Sequence, residues 1–187
     1  SGTVSAVGSR VTGWEIGQEA CALLSGGGYA EKVAVLDGHV LPVPRGVDLV
    51  TAAGLPEVMC TVWSNVFMTA GLRPGEVFLV HGGAGGVGTA AVQLGRVVGA
   101  TVAVTAGTPA KLDLCRSLGA SVLVNYNEDD FVTAVRQATD GHGADVVLGD
   151  RDGTTCEAAF TRLVAEAFAS RGYSVAVNDP YKGVELV

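Results

Sequence analysis

The chain begins without a helical period. Over residues 1–50 short apolar runs, Lys32-Val33-Ala34-Val35 and His39-Val40-Leu41, are broken by Gly26-Gly27-Gly28, Pro42 and Pro44. Such runs predict strands separated by loops. Near Leu49 the pattern changes. Residues 51–70 place Val58, Val62 and Val66 at helical spacing, with Trp63 and Phe67 beside them as expected core aromatics. Pro56 divides this helical stretch in two or starts its second helix, and Gly71 and Pro74 end it.

After Pro74 strands and helices alternate. Val77-Phe78-Leu79-Val80 is unbroken apolar sequence, as a strand buried on both faces requires. A glycine loop follows, then a helix with Val87, Ala91, Leu94 and Val98 on one stripe, closed by Gly99 in the left-handed conformation. Residues 101–105 predict a second strand. Thr108-Pro109 starts a helix that stops at Gly119. Residues 121–124 predict a third strand and residues 128–138 a polar-capped helix. Gly141-His142-Gly143 then turns the chain into a fourth strand over 145–148. Beyond it, Thr154 and Glu157 have capping-box spacing ahead of the stripe Phe160, Leu163, Val164, Ala167 and Phe168. Gly172 ends that helix, and residues 173–177 predict a fifth strand. Parallel returns need crossover helices, so the expected class is α/β. It is a doubly wound parallel Rossmann sheet over residues 51–187, preceded by a β-rich segment over residues 1–50.

Composition adds a core and removes some partners. Hydrophobic residues are 48% of the 187 and charged residues 17%, enough for one domain and part of a second. A net charge of −7 argues against nucleic acid. No apolar run approaches the ~20 residues that span a bilayer. The start, Ser1-Gly2-Thr3-Val4, lacks a basic segment followed by an apolar one. The expectation is a cytoplasmic chain with no membrane partner, or one whose leader has been removed. Cys21, Cys60, Cys115 and Cys156, like His39, His81 and His142, are scattered. No metal is expected, and the cysteines read as small buried hydrophobes.

The chemistry is concentrated in residues 81–88, His-Gly-Gly-Ala-Gly-Gly-Val-Gly, between the first buried strand and its helix. Gly83, Gly85 and Gly88 satisfy G-x-G-x-x-G. In that motif the first glycine allows the tight turn and the second lets a diphosphate approach the backbone. The third lets helix and strand pack closely, and the N–H groups at the helix start face the phosphates. The strand–loop–helix context distinguishes this from a chance glycine cluster. At the end of the second strand, where an NAD binder places an acid, the chain reads Thr105-Ala106-Gly107-Thr108, with Lys111 one turn on. No carboxylate repels a 2′-phosphate there and a lysine attracts one, so NADPH is the expected cofactor. The other reading of Lys111 is a solvated surface lysine.

Several further motifs occur together and in order: Gly28-Tyr29-Ala30-Glu31, Leu55-Pro56-Glu57, Thr61-Val62-Trp63, Leu72-Arg73-Pro74-Gly75-Glu76, Leu118-Gly119-Ala120 and Asn125-Tyr126. With residues 81–88 and Lys111 they resemble the zinc-free quinone oxidoreductases of the medium-chain dehydrogenase/reductase superfamily, the zeta-crystallin branch, over residues 1–148. The resemblance implies that residues 1–50 are part of a GroES-like substrate domain. It also implies that family members carry further strands before residue 1 and beyond residue 187. In its terms Ala84, Gly85, Gly86 and Val87 contact the diphosphate, Gly107, Lys111 and Tyr126 hold the 2′-phosphate, and Thr61 lies beside the nicotinamide. It implies hydride transfer from NADPH to a small quinone or enone, with positioning rather than a side-chain acid doing most of the catalysis. No catalytic side chain is assigned.

From residue 149 the sequence departs from that family. Gly149-Asp150-Arg151-Asp152-Gly153 and Asn178-Asp179-Pro180-Tyr181-Lys182-Gly183 resemble an internal piece of N-formylglutamate amidohydrolases, so the chain reads as a chimera joined near residues 148–150. No His follows His142, and amidohydrolase chemistry is not expected of the tail. Asp150 and Arg151 read equally as an ion pair capping the next helix or as groups at the ligand edge of the sheet. Glu128, Asp129 and Asp130 read as helix N-terminal charge rather than a metal site. Tyr126 reads as cofactor contact or packing aromatic, and His81 has no catalytic role, lacking a paired acid or nucleophile. Three functions stay open: a NADPH-dependent quinone or enone reductase, a dinucleotide-binding module without turnover, and a chimera with no selected activity. Exposed strand edges also leave room for a homo-oligomer.

Overall fold

Four parallel strands form the centre of the molecule in the order β6-β5-β4-β7, in a computed structural model that describes residues 1–149. The strands are β4 (Val77–Val80), β5 (Thr101–Ala106), β6 (Val122–Asn125) and β7 (Val146–Leu148). Each follows the last through a helix: α3 (Gly86–Val98), α4 (Pro109–Leu118) and α5 (Phe131–Ala138). The chain steps outward from β4 to β6, then returns so that β7 pairs with the other side of β4. Helices cover both faces. Phe78, Val80, Val102 and Val104 pack on the side that carries Val92 of α3 and Cys115 of α4, while Val77, Leu79 and Ala103 face Val135 of α5. This is the doubly wound α/β arrangement expected, and all of β4 is buried on both faces.

The helix ends follow their chemistry. Gly99 and Gly119 close α3 and α4 at φ +90° and +118°, where a side chain would be strained. Thr108 caps α4, with its hydroxyl accepting from the Lys111 N–H at 3.4 Å. Asp130 caps α5, accepting from the Thr133 N–H (2.9 Å) and hydroxyl (2.7 Å). The acidic run before that helix is therefore helix-capping charge, and α5 starts at Phe131 rather than residue 128.

The first fifty residues differ more from expectation. They form a small antiparallel sheet of β1 (Gly2–Thr3), β2 (Glu19–Ala22) and β3 (Val40–Pro42), in that order. Residues 32–35 are not a strand. Lys32 and Val33 are exposed, so the apolar run has no sheet to bury it. The helical stretch is α1 (Leu49–Ala53) and α2 (Leu55–Val62), with Pro56 in the first turn of α2 as expected. From Trp63–Thr69 the helix widens to a π turn in which the Ala70 N–H reaches the Asn65 carbonyl at 3.0 Å. Trp63, at the start of the widened turn, is 54% exposed and so is not core; its ring lies 5.1 Å from that of Phe67. Residues 1–149 make one compact unit. The predicted last helix and fifth strand, with Asp150, Arg151 and Cys156, lie outside the described residues.

Candidate functional site

The loop of residues 81–88 leaves the C-terminal end of β4, beside the end of β7, where the His81 N–H donates to the Leu148 carbonyl at 2.8 Å. Strand order reverses at that point, which is where open α/β sheets bind ligands.

Its glycines have separable reasons. Gly82, not Gly83, makes the left-handed turn, at φ +64°. Gly83 is buried against the sheet: a Cβ there would sit 2.8 Å from Val104 and 3.1 Å from the Cys115 sulfur. At Gly88 a Cβ would lie 2.4 Å from the Gly82 carbonyl oxygen, so this glycine lets α3 begin against the turn. Close helix–strand packing falls instead to Gly95, where a Cβ would meet the Phe78 ring at 2.8 Å. Gly85 is different. Its backbone, φ −76° and ψ 172°, suits any residue, and a Cβ would be 3.3 Å from its nearest neighbour, tight but not blocked. Conformation does not demand a glycine there, and its one close neighbour, the Gly82 carbonyl oxygen, would have to give by only a few tenths of an ångström to admit a Cβ.

The start of α3 is positive in character. Gly85 is the N-cap of α3 and supplies no side-chain cap, and the first turn holds no acid. The Thr89 N–H bonds to the Gly85 carbonyl at 2.8 Å, while the N–H groups of Gly86, Val87 and Gly88 meet no acceptor among the described residues. Free donors of this kind, at the start of a helix of thirteen residues, are able to receive an anion. Ala84 lies half-buried within the turn.

Across the loop, Thr105 at the end of β5 is buried and holds it twice. Its carbonyl accepts from the Gly83 N–H at 3.1 Å, and its hydroxyl lies 3.0 Å from His81 Nδ1. The His81 ring also meets Phe131 edge-on at 4.8 Å. Burial pushes the His81 pKa down to about 4, so the imidazole is neutral near pH 7. It is a structural group of the loop, a role the sequence showed only through its position.

Beyond Thr105 the chain turns through Ala106 and Gly107. The Tyr126 hydroxyl lies 2.5 Å from where a Gly107 Cβ would be, so glycine at 107 admits the tyrosine. Asn127 Nδ2 donates to the Gly107 carbonyl at 2.9 Å, and the Tyr126 N–H donates to that of Ala106 at 3.2 Å. Gly107 and Tyr126 are thus brought together, and Asn127 joins them, a residue sequence reasoning missed although it follows the Asn125-Tyr126 motif. Lys111 is exposed one turn into α4, with no ion-pair partner among the described residues. Thr61 is on α2, its hydroxyl donating to Glu57 at 3.1 Å. It stands one turn from Val58, whose methyl would touch a Gly86 Cβ at 3.5 Å. Thr61 and the loop therefore lie along one helix face. Among the described residues, no three His, Cys, Asp or Glu side chains gather as metal ligands, and no helix is long and apolar enough to cross a membrane.

Residues 86–165 match the family described as "Zinc-binding dehydrogenase". The phthioceranic/hydroxyphthioceranic acid synthase of Mycobacterium tuberculosis (strain ATCC 25618 / H37Rv) is 31% identical over 186 residues, 100% of this chain and 9% of that protein. Highly-reducing polyketide synthase 1 of Aureobasidium melanogenum is 35% identical over 173 residues, 88% of this chain and 8% of that protein. Among solved structures, CurK enoyl reductase is 33% identical with a TM-score of 0.76, over 90% of this chain and 48% of its own. The quinone oxidoreductase of Thermus thermophilus, solved also in complex with NADPH, is 38% identical with a TM-score of 0.65, over 78% of this chain and 47% of its own. The chain spans about half the length of these solved proteins and under a tenth of the synthases. The family match runs through residues 148–150 and the first synthase aligns along the whole chain, so an amidohydrolase-like origin for the tail gains no support.

Proposed function

We propose, from the likeness of this chain to the medium-chain dehydrogenase/reductase superfamily, that it is part of an NADPH-dependent reductase acting on an activated carbon–carbon double bond or a quinone. The observation that carries the reading is the start of α3, where Gly85, whose backbone angles suit any residue, stands beside three helix N–H groups that meet no acceptor among the described residues. The residues fit a dinucleotide. The N–H groups of Gly86, Val87 and Gly88 would receive the diphosphate, with Gly83, Ala84 and Gly85 shaping the approach. Gly107, Lys111 and Tyr126 would take the 2′-phosphate: the end of β5 carries no acid, and Lys111 supplies an uncommitted charge. Thr61, on the helix that touches the loop, would border the nicotinamide. Bound NADPH would supply the hydride.

The protein's part is to orient and to keep water out, and no zinc-dependent step is invoked. In this reading residues 51–187 are the nucleotide-binding domain and residues 1–50 belong to the substrate domain. Of the two acceptor classes, the enone is favoured, because polyketide synthases and an enoyl reductase stand among the relatives. The quinone reading rests on the likeness to quinone oxidoreductases.

The test is NADPH consumption, followed by its near-ultraviolet absorbance, with a short trans-2-enoyl thioester and separately with 1,4-benzoquinone. The enoyl thioester should be turned over. Consumption with the quinone alone would reverse the order of acceptors, and consumption with neither, at high protein concentration, would leave a dinucleotide-binding module.

A further inference from the structure

The loop of residues 81–88 and the end of β5 are separate segments, and in the reading above one would hold the diphosphate and the other the 2′-phosphate of the same molecule. Their spacing must match that molecule. Buried Thr105 joins them: it accepts from the Gly83 N–H through its carbonyl (3.1 Å) and meets His81 Nδ1 through its hydroxyl (3.0 Å). The carbonyl contact is backbone and common to any residue. The hydroxyl contact depends on the pair of side chains. His81 is itself held from a third direction by the edge of Phe131, the first residue of α5. Two residues past Thr105 stands Gly107, with Tyr126 against it.

We infer that the His81–Thr105 hydrogen bond is a positioning contact that sets the distance between the diphosphate cradle and the 2′-phosphate site, and so favours NADPH over NADH. The inference rests on the NADPH reading and adds two residues to it, neither of which touches the cofactor. Whichever atom carries the shared hydrogen, the bond ties the first residue after β4 to the end of β5. Without it the loop keeps its backbone tie to β5 and loses the side-chain one, and the two sites drift against each other. NADH, with no 2′-phosphate to place, tolerates the drift; NADPH does not.

Thr105→Val removes the hydroxyl and keeps the shape, whereas Thr105→Ser keeps the hydroxyl and trims the methyl. Binding of NADPH and NADH is measured for each, with amide hydrogen exchange over residues 82–88 in the cofactor-free protein. Thr105→Val should lower the NADPH-to-NADH preference about tenfold, the scale of one buried hydrogen bond, and should speed exchange in the loop. Thr105→Ser should restore both. His81→Leu should act like Thr105→Val, and the double variant should lose no more than either single one. NADPH uptake with the preference unmoved by Thr105→Val, a serine variant behaving like the valine, or additive losses would each overturn this inference alone. A wild-type protein that takes up neither dinucleotide would overturn the NADPH reading and this inference with it.

Discussion

At the scale of single residues, Lys111 and His81 show opposite uses of charge. Lys111 is exposed near an acid-free strand end, with no ion-pair partner among the described residues. Lys111→Ala should weaken NADPH binding by about 1–3 kcal/mol, as a charge-assisted contact does, and leave NADH nearly unchanged. Calorimetric titration of both cofactors checks this, and equal losses would detach Lys111 from the 2′-phosphate. His81 is kept neutral by burial, with its pKa lowered from 6.5 to about 4. The sign follows from proton binding. Below pH 6.5 the unfolded chain takes up a proton that the folded chain refuses until about pH 4, so stability present above pH 6.5 is lost as pH falls through that window. The loss is on the order of 3 kcal/mol in all. His81→Asn keeps a polar group but cannot titrate there, and urea unfolding at neutral pH and near pH 4.5 should show a shallower loss for it than for wild type. Parallel losses would mean that other groups set the acid sensitivity. The glycine motif could be read from the sequence because strand, loop and helix were each marked. The half-buried histidine could not, because its surroundings come from β5 and α5, far along the chain.

At the scale of elements, helix ends were legible and helix faces less so. Thr108, Gly99 and Gly119 stand where capping chemistry placed them. The stripe on α3 was read as Val87, Ala91, Leu94 and Val98, and Ala91 is buried, yet the buried face also includes Gly88, Ala90, Val92 and Gly95. Hydrophobic spacing undervalues glycine at a close contact, where the missing side chain is the point. Gly95→Ala gains about 1 kcal/mol of helix propensity but forces a methyl to 2.8 Å from the Phe78 ring. Phe78 and Val102 are fully buried and have nowhere to move. Overpacking of about 1–3 kcal/mol should therefore prevail, and thermal or urea unfolding should show a net loss. An unchanged or raised midpoint would mean that the sheet gives way. Asp130→Ala should cost α5 about 1 kcal/mol through its lost N-cap, with no effect on NADPH affinity, measured on the same samples. Residues 1–50 were the least legible part, because their short strands are set by pairing across the sheet rather than by local pattern.

At the scale of the whole molecule, the return of β7 beside β4 brings the loop of residues 81–88 to the reversal point of the sheet. Alternation of strands and helices was enough to foresee that architecture, since parallel pairing leaves few other routes. The acceptor was not legible, because the glycine motif and the acid-free end of β5 bear on the dinucleotide and not on what it reduces. Every functional step proposed above depends on something narrower: that the backbone donors at the start of α3 would hold a dinucleotide through its diphosphate, with Gly85 leaving room for it. The decisive experiment is calorimetric titration of wild type and Gly85→Val with NADPH and NADH. Wild type should take up dinucleotide, and the variant should lose both while staying folded, its stability lowered by no more than about 1–2 kcal/mol, the scale of a poorer N-cap. Uptake by the variant equal to that of wild type, or by neither protein, would contradict it.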